Sequence, residues 1–414
     1  MKEKKVVWII NQFANTPEMP GHTRQNDLAV FLNNNGYKPT VFSSDFNLSK
    51  RKFLKGNKKF FYKSEFINSI KWVWLGVFPY RKNDWKRYLN LLSFCLNLSF
   101  QLFIRLIFCS INKRSPKLII SSSPQLPASF ISLLISKLFK IPMIFEVRDL
   151  WPQILIEMNN MKAESITYKV LKKMESVLYR NSDLIVVLSK GCINYVKKNG
   201  ARRVEFLPNS ANTDLFNYSK LPDEGDKFSS ARPFRIIYSG AHGIANDLEN
   251  VIKAAFFLKN LPIKIILVGD GPQKDHLKLL ASTLENIDFK DPISKKDVPE
   301  LLSNADAILI SLADIKLFEY GVSPNKLFDA YAVGRPVITT IKGIVNNEVE
   351  KFNLGVTSPP GDPMKLSKAI KKLFKKERSE RIKISINCRK MVDNFYSKDL
   401  IMTNYLDKIR TLTN

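Results

Sequence analysis

The chain has 414 residues, 45% of them hydrophobic, and a formal net charge of +27 at pH 7. That length is too great for one core and points to two domains, and the apolar content excludes a disordered chain. Three histidines (His22, His242, His276) argue against a histidine metal cluster. Four scattered cysteines (Cys95, Cys109, Cys192, Cys388) have neither metal spacing nor a disulfide framework, which fits a reducing cytoplasm.

Taken in chain order, Val6–Ile10 predicts a first buried strand and not a signal peptide. A loop containing Gly21, a helix over Thr23–Asn34 and a strand over Lys38–Phe42 complete a βαβ opening. From Lys50 to Lys117 sixteen Lys/Arg stand against Glu65 and Asp84, interleaved with aromatics such as Trp72, Trp74, Tyr80 and Trp85. This composition suits an anionic membrane surface, and it equally suits single-stranded nucleic acid. Residues 87–112 have the length of a membrane span, but Asn90, Asn97, Gln101 and Arg105 interrupt them; they predict a buried or interfacial helix with one apolar face available. Strands are expected at Lys117–Ser121 and Pro142–Val147, the second delivering Arg148 and Asp149 to its carboxyl end, where open α/β sheets bind ligands. A helix over Glu164–Arg180, a strand over Asp183–Leu188, a helix capped by Ser189 and a strand over Val204–Leu207 follow. The polar, turn-rich stretch 220–233 reads as an interdomain linker.

The second half restarts the rhythm. Strands at Phe234–Ser239 and Ile263–Val268 run into the glycine turns Gly240-Ala241-His242-Gly243 and Gly269-Asp270-Gly271, where backbone N–H groups can approach a ligand closely. Glu319–Ile338 then combines a Gly-containing loop, Ser323 as expected cap, Pro324 at the first helical position, Asn325, an apolar helix body and a strand. Lys326, a cation in the first turn, opposes the macrodipole unless an anion sits nearby, and Asp329 one turn on can accept hydroxyl hydrogen bonds. The remaining segments, 364–375 and 378–411, read as amphipathic helices.

SPNKLFDAYAVGRPVI resembles the donor-site segment of glycosyltransferase family 4, in the branch of bacterial L-fucosamine, O-antigen and capsule sugar transferases, and EVRDLWP resembles the same branch. Two departures stand out. The family's first acid falls on Gly321, with Glu319 two residues earlier, and no Arg or Lys follows Gly240 before Ile252 to clamp a diphosphate. The resemblance implies two Rossmann-like doubly wound α/β domains facing across a cleft (GT-B), spanning 1–220 for the acceptor and 221–395 for the donor. A helix over 396–414 would cross back to the first domain. It implies a retaining transferase that moves a sugar, hexosyl or N-acetylamino, from a nucleoside-diphosphate donor, most simply UDP-linked, to a polyprenyl-diphosphate-linked glycan in surface polysaccharide synthesis. The enzyme would be cytoplasmic and peripheral at the inner face of the plasma membrane. Catalytic duty would fall on Asp149, Arg148, Lys326 and Glu319. Donor binding would fall on Gly21, Arg24, Gly240, His242, Gly243, Gly269, Gly271, Ser323, Asn325 and Asp329. No metal, other cofactor or nucleic acid is expected. A transferase-like scaffold without activity and a basic nucleic-acid-binding protein are the alternatives.

Overall fold

Short β-branched runs bounded by glycine and polar turns give buried parallel strands when helices cover both faces. In the computed structural model, which describes residues 4–19, 23–47, 51–55, 62–81, 84–111, 115–158, 161–222 and 228–414, such runs close into two α/β units. The first comprises Met1–Leu188, Cys192–Leu207 and Met402–Asn414, and the second Ser189–Gly191 and Pro208–Ile401.

The first unit holds β1 (Lys5–Ile10), β2 (Tyr37–Ser44), the two-residue ladder β3 (Phe46–Asn47) and β4 (Lys52–Phe53), β5 (Tyr62–Ile67), β6 (Ile70–Leu75), β7 (Leu118–Ser122), β8 (Met143–Val147), β9 (Leu184–Val187) and β10 (Val204–Phe206). Its main sheet has the order β10-β9-β8-β7-β1-β2-β6-β5, parallel except for the β5–β6 hairpin. The order reverses at β1, whose neighbours are β7 and β2. The hairpin is an addition to the βαβ pattern that sequence reading does not anticipate, because charged and aromatic residues hide its alternation.

The second unit contains β11 (Phe234–Ser239), β12 (Ile263–Val268), β13 (Ile287–Lys290), β14 (Ala307–Ile310), β15 (Val337–Thr339) and β16 (Gly355–Thr357), all parallel in the order β13-β12-β11-β14-β15-β16. Here β11 is the switch strand, paired to β12 on one side and β14 on the other. Ligands of open α/β sheets bind beyond the carboxyl end of such a strand.

Several expectations shift. The division falls at Leu207/Pro208, ahead of residue 220, because the 209–220 segment is bound into the second unit: Asn209 bonds Ser323, Ala211 bridges Ser397, and Arg335 grips Ser219 and Lys220. Within the expected linker, 223–227 lie outside the described residues. The stretch 378–411 is three pieces, Arg378–Met391, a π-turn at Val392–Tyr396 and Lys398–Thr413, broken where Ser397 adopts extended backbone. From Met402 the last helix belongs to the first unit, whose core it joins through Met402, Tyr405, Leu406 and Ile409. Ser189 caps nothing; the helix after it begins at Cys192, and the Ser189 hydroxyl donates to the Tyr320 carbonyl.

Candidate functional site

Two backbone turns meet beyond β11 and β12. Gly269 and Gly271 have φ +147° and +158°, and a Cβ on Gly269 would stand 1.9 Å from the Gly240 carbonyl oxygen, so only glycine permits this approach. The backbone N–H of His242 donates to the Asp270 carbonyl at 2.8 Å, and that of Gln273 donates to the His242 carbonyl at 3.0 Å. Lys274, nearly buried, adds a bond from Nζ to the Gly269 carbonyl at 2.9 Å and pairs with Asp291 at 2.7 Å. His242 is fully buried, and neither ring nitrogen has a protein partner among the described residues. Burial lowers its pKa, Lys274 and Lys326 lower it further, and Asp270 opposes them. The imidazole is therefore neutral at pH 7, with one N–H and one lone pair unspent.

Lys326 lies against these turns. It is the second residue of the helix Asn325–Ala332, whose amino end carries free N–H groups and a partial positive charge. Its ammonium sits 4.2 Å from the centroid of the Tyr238 ring and donates to Asn246 Oδ1 at 3.3 Å. A Cβ on Gly240 would be 3.2 Å from it, so the turn and the ammonium are in direct contact. No carboxylate pairs with it among the described residues, and burial pushes its pKa down to about 7. Asp329, one turn along, is pushed up to about 7 by burial, with Lys295 pulling it back. A cation and an acid on one helix thus sit half-buried and unpaired with each other. The first lacks an anion, and the second can take hydroxyl groups.

Ser323 and Asn325 frame the helix start, but not as the sequence suggests. Pro324 is the N-cap, and the Ser323 hydroxyl accepts instead from the backbone N–H of Asn209 at 3.0 Å. Gly243 precedes a short 3₁₀ turn at Ile244–Asn246, which places Asn246 beside Lys326. Gly321, at the family's first acidic place, has φ +90°, and a Cβ there would lie 2.2 Å from the Ser189 hydroxyl. The backbone therefore excludes an acid at this position. Glu319 is exposed on the 3₁₀ turn Lys316–Tyr320, and among the described residues it makes no hydrogen bond or ion pair with Lys326 or Asp329.

In the first unit, Arg24 corrects the expectation of a donor ligand. Its guanidinium is buried, donating to Glu146 at 2.9 Å and to the Leu207 carbonyl at 2.8 Å, so it is committed to holding β8 and the 207 segment together. Arg148 reaches Gln25 at 3.3 Å, and burial lowers its pKa while Glu146 and Asp149 raise it. Asp149 keeps exposed surface; desolvation raises its pKa and Arg148 pulls it back. The Ser123 hydroxyl fixes the backbone of both, accepting from Arg148 N–H at 2.9 Å and donating to the Asp149 carbonyl at 3.2 Å. Gly21 lies outside the described residues.

Sequence reading missed Tyr238, Asn246, Lys274 and Glu146. Tyr238 belongs to a run read as core, and Lys274 and Glu146 have no spacing signal because their partners are set by tertiary contact.

The family model for glycosyl transferases group 1 matches residues 223–391, most of the second unit. WcaI of Escherichia coli, named for colanic acid biosynthesis as a glycosyl transferase, is 31% identical over 180 residues, 39% of this chain and 41% of its own. The chain spans about half the length of the curated relatives it matches, between 41% and 58%. A sucrose-phosphate synthase from Thermosynechococcus elongatus superimposes with TM-score 0.74 at 15% identity, covering 99% of both chains. HepE of Anabaena in complex with UDP does so with TM-score 0.69 at 14% identity, covering 99% of this chain and 100% of that one. These likenesses bear out the GT-B fold class read from the sequence.

Proposed function

We propose that this chain, whose residues 223–391 match the family model for glycosyl transferases group 1, transfers a sugar from a UDP-linked donor to a lipid-linked glycan in bacterial surface polysaccharide synthesis. The observation that carries the reading is Lys326: an ammonium without a carboxylate, at a helix amino end, against two glycine turns beyond the switch strand. That arrangement suits a diphosphate, which would restore the charge of Lys326 and take hydrogen bonds from the turn and the helix N–H groups. His242 offers one further donor, and Asp329 suits the ribose hydroxyls. The UDP-bound HepE and the colanic acid biosynthesis name of WcaI, each true of those proteins, agree with this donor and this pathway class.

The acceptor hydroxyl oxygen bonds to the anomeric carbon as the bond to the donor phosphate oxygen breaks, and the hydroxyl proton passes to that leaving oxygen on the same face. Lys326 and the helix N–H groups neutralise the developing diphosphate charge, the term that usually dominates such catalysis, without a metal ion. Arg148 and Asp149 are assigned to the acceptor side, and the protein works on the inner face of the plasma membrane.

The test is release of UDP from UDP-sugars incubated with a polyprenyl-diphosphate-linked acceptor, with the product anomer read by proton NMR. Retained configuration and activity that persists in EDTA are the expected results. Inverted product would overturn the mechanism, and abolition by EDTA would overturn the metal-free part.

A further inference from the structure

The helix Trp85–Ile111 is apolar on two faces, burying Phe94, Leu98, Leu102 and Leu106 inward and exposing a second apolar row outward. Among those apolar residues the inward face also buries Asn90, Ser93, Asn97 and Gln101. Asn90 bonds the Phe78 carbonyl at 2.7 Å and accepts from Gln12 at 2.9 Å, Ser93 accepts from the Phe78 N–H at 2.8 Å, and Asn97 donates to the Gly76 carbonyl at 3.1 Å. Its outward face is an unbroken apolar stripe of Tyr88, Leu92, Leu96, Phe100, Phe103 and Ile107, at spacings of three and four, each 42–65% exposed. Leu134 and Leu138 of the neighbouring helix Leu126–Leu138 widen it, at 55% and 66% exposed. A patch this long on one face marks an interaction surface.

The helix is long and apolar enough to cross a membrane by composition alone. The polar groups of its inward side, however, are bonded to the unit's own backbone and to Gln12, and a span would strand those groups in hydrocarbon. A helix fixed in this way can only lie along a surface.

Charge decides which surface. Where the stripe begins, Trp85 is 63% exposed, and beside it opens a cavity of about 660 Å³ lined by Arg51, Lys52, Arg81 and Lys86 against the single acid Asp84, with Phe46 and Tyr80 in its wall. Cations and an indole at the edge of an apolar stripe match a bilayer in which anionic phosphate groups lie above acyl chains.

We propose that this face docks in the plane of one leaflet of a membrane rich in anionic phospholipid, the stripe entering the acyl boundary and the cationic cavity meeting headgroup phosphates. It rests on the lipid-linked acceptor proposed above and assigns the surface that brings the first unit to it.

The experiment uses the full chain with vesicles of phosphatidylcholine alone and of phosphatidylcholine with phosphatidylglycerol. Sedimentation with the anionic vesicles, and quenching of Trp85 by brominated lipid that a Trp85→Phe variant lacks, are expected. Leu96→Glu with Phe100→Glu should abolish both, and Arg81→Glu with Lys86→Glu should weaken binding roughly tenfold. All these side chains are exposed, and circular dichroism and UDP titration on each variant verify folding. Equal binding to neutral vesicles, or binding unchanged in the stripe variant, would overturn the proposal. So would a concentration-dependent dimer that the stripe variant dissolves in protein that ignores vesicles. UDP binding without vesicle binding sinks this inference alone, and vesicle binding without UDP binding sinks the donor reading and leaves the docking face standing.

Discussion

Lys326→Met is expected to cost about 100-fold in UDP affinity, on the order of 3 kcal/mol, and yet to raise the melting temperature of the free protein. The two effects have one cause. Burial holds the Lys326 pKa at about 7, below its usual 10.5. Between those values the unfolded chain binds the proton more tightly, so stability rises with pH. Below pH 7 both states carry the charge and the folded protein bears the full desolvation penalty. Methionine keeps the aliphatic stem and removes the charge. Its stabilisation is therefore full below about pH 7 and fades as pH rises towards 10.5, with a size of about 1–2 kcal/mol once solvent screening of a partly exposed group is allowed for. Asp329→Asn has the mirror profile, because its raised folded pKa makes the ionised acid costly above about pH 7. Stability gained at the expense of binding is the signature of residues kept for a ligand. Thermal melts at pH 6 and pH 9 with UDP titrations check it, and a Lys326→Met variant less stable at pH 6 than wild type would contradict the assignment.

Arg335→Leu is expected to act oppositely, lowering stability by roughly 3–5 kcal/mol without touching the site. Its guanidinium is fully buried and donates to the carbonyls of Ser219 (2.8 Å), Val333 (3.0 Å) and Lys220 (2.9 Å), to that of Ser303, and to the Ser219 hydroxyl (2.8 Å). No carboxylate lies within ion-pair distance among the described residues, and burial lowers its pKa to about 10. It is a splint between the 219–220 segment and the ends of two helices. Leucine would leave those carbonyls buried and unpaired, and lysine lacks the planar fork to reach them. For a unit of this size the loss corresponds to a fall in Tm of about 10 °C. The folded fraction should bind UDP unchanged; a drop in affinity without a drop in Tm would move Arg335 into the binding machinery.

These two residues show how far the sequence reads. Both stand in the segment whose pattern resembles the family, nine positions apart, and the pattern alone gives them equal weight. Strand runs such as FRIIYS and IKIILV are legible because buried parallel strands are continuous apolar runs. The glycine turns are legible because close backbone approach requires glycine. Lys326 is legible as a cation in the wrong place on its helix. Arg24 reads as a ligand because its partner Glu146 lies 122 residues away, a distance no local pattern carries. Ser323 reads as a cap until Asn209, 114 residues earlier, takes its hydroxyl. The absence of an acid at Gly321 looks like a lost function in the sequence, and it is a backbone conformation pressed against Ser189. Long-range side-chain contacts, not the strand and helix grammar, are what the one-dimensional reading lacks.

A nucleoside diphosphate is expected to bind where Lys326 and Asp329 share a helix, with the glycine turns beside it. Calorimetric titration of UDP into the wild-type protein, Lys326→Ala and Asp329→Ala measures this binding. Binding by the wild type and its loss in both variants are the expected results. Undiminished binding in both would place the nucleotide elsewhere and contradict the site.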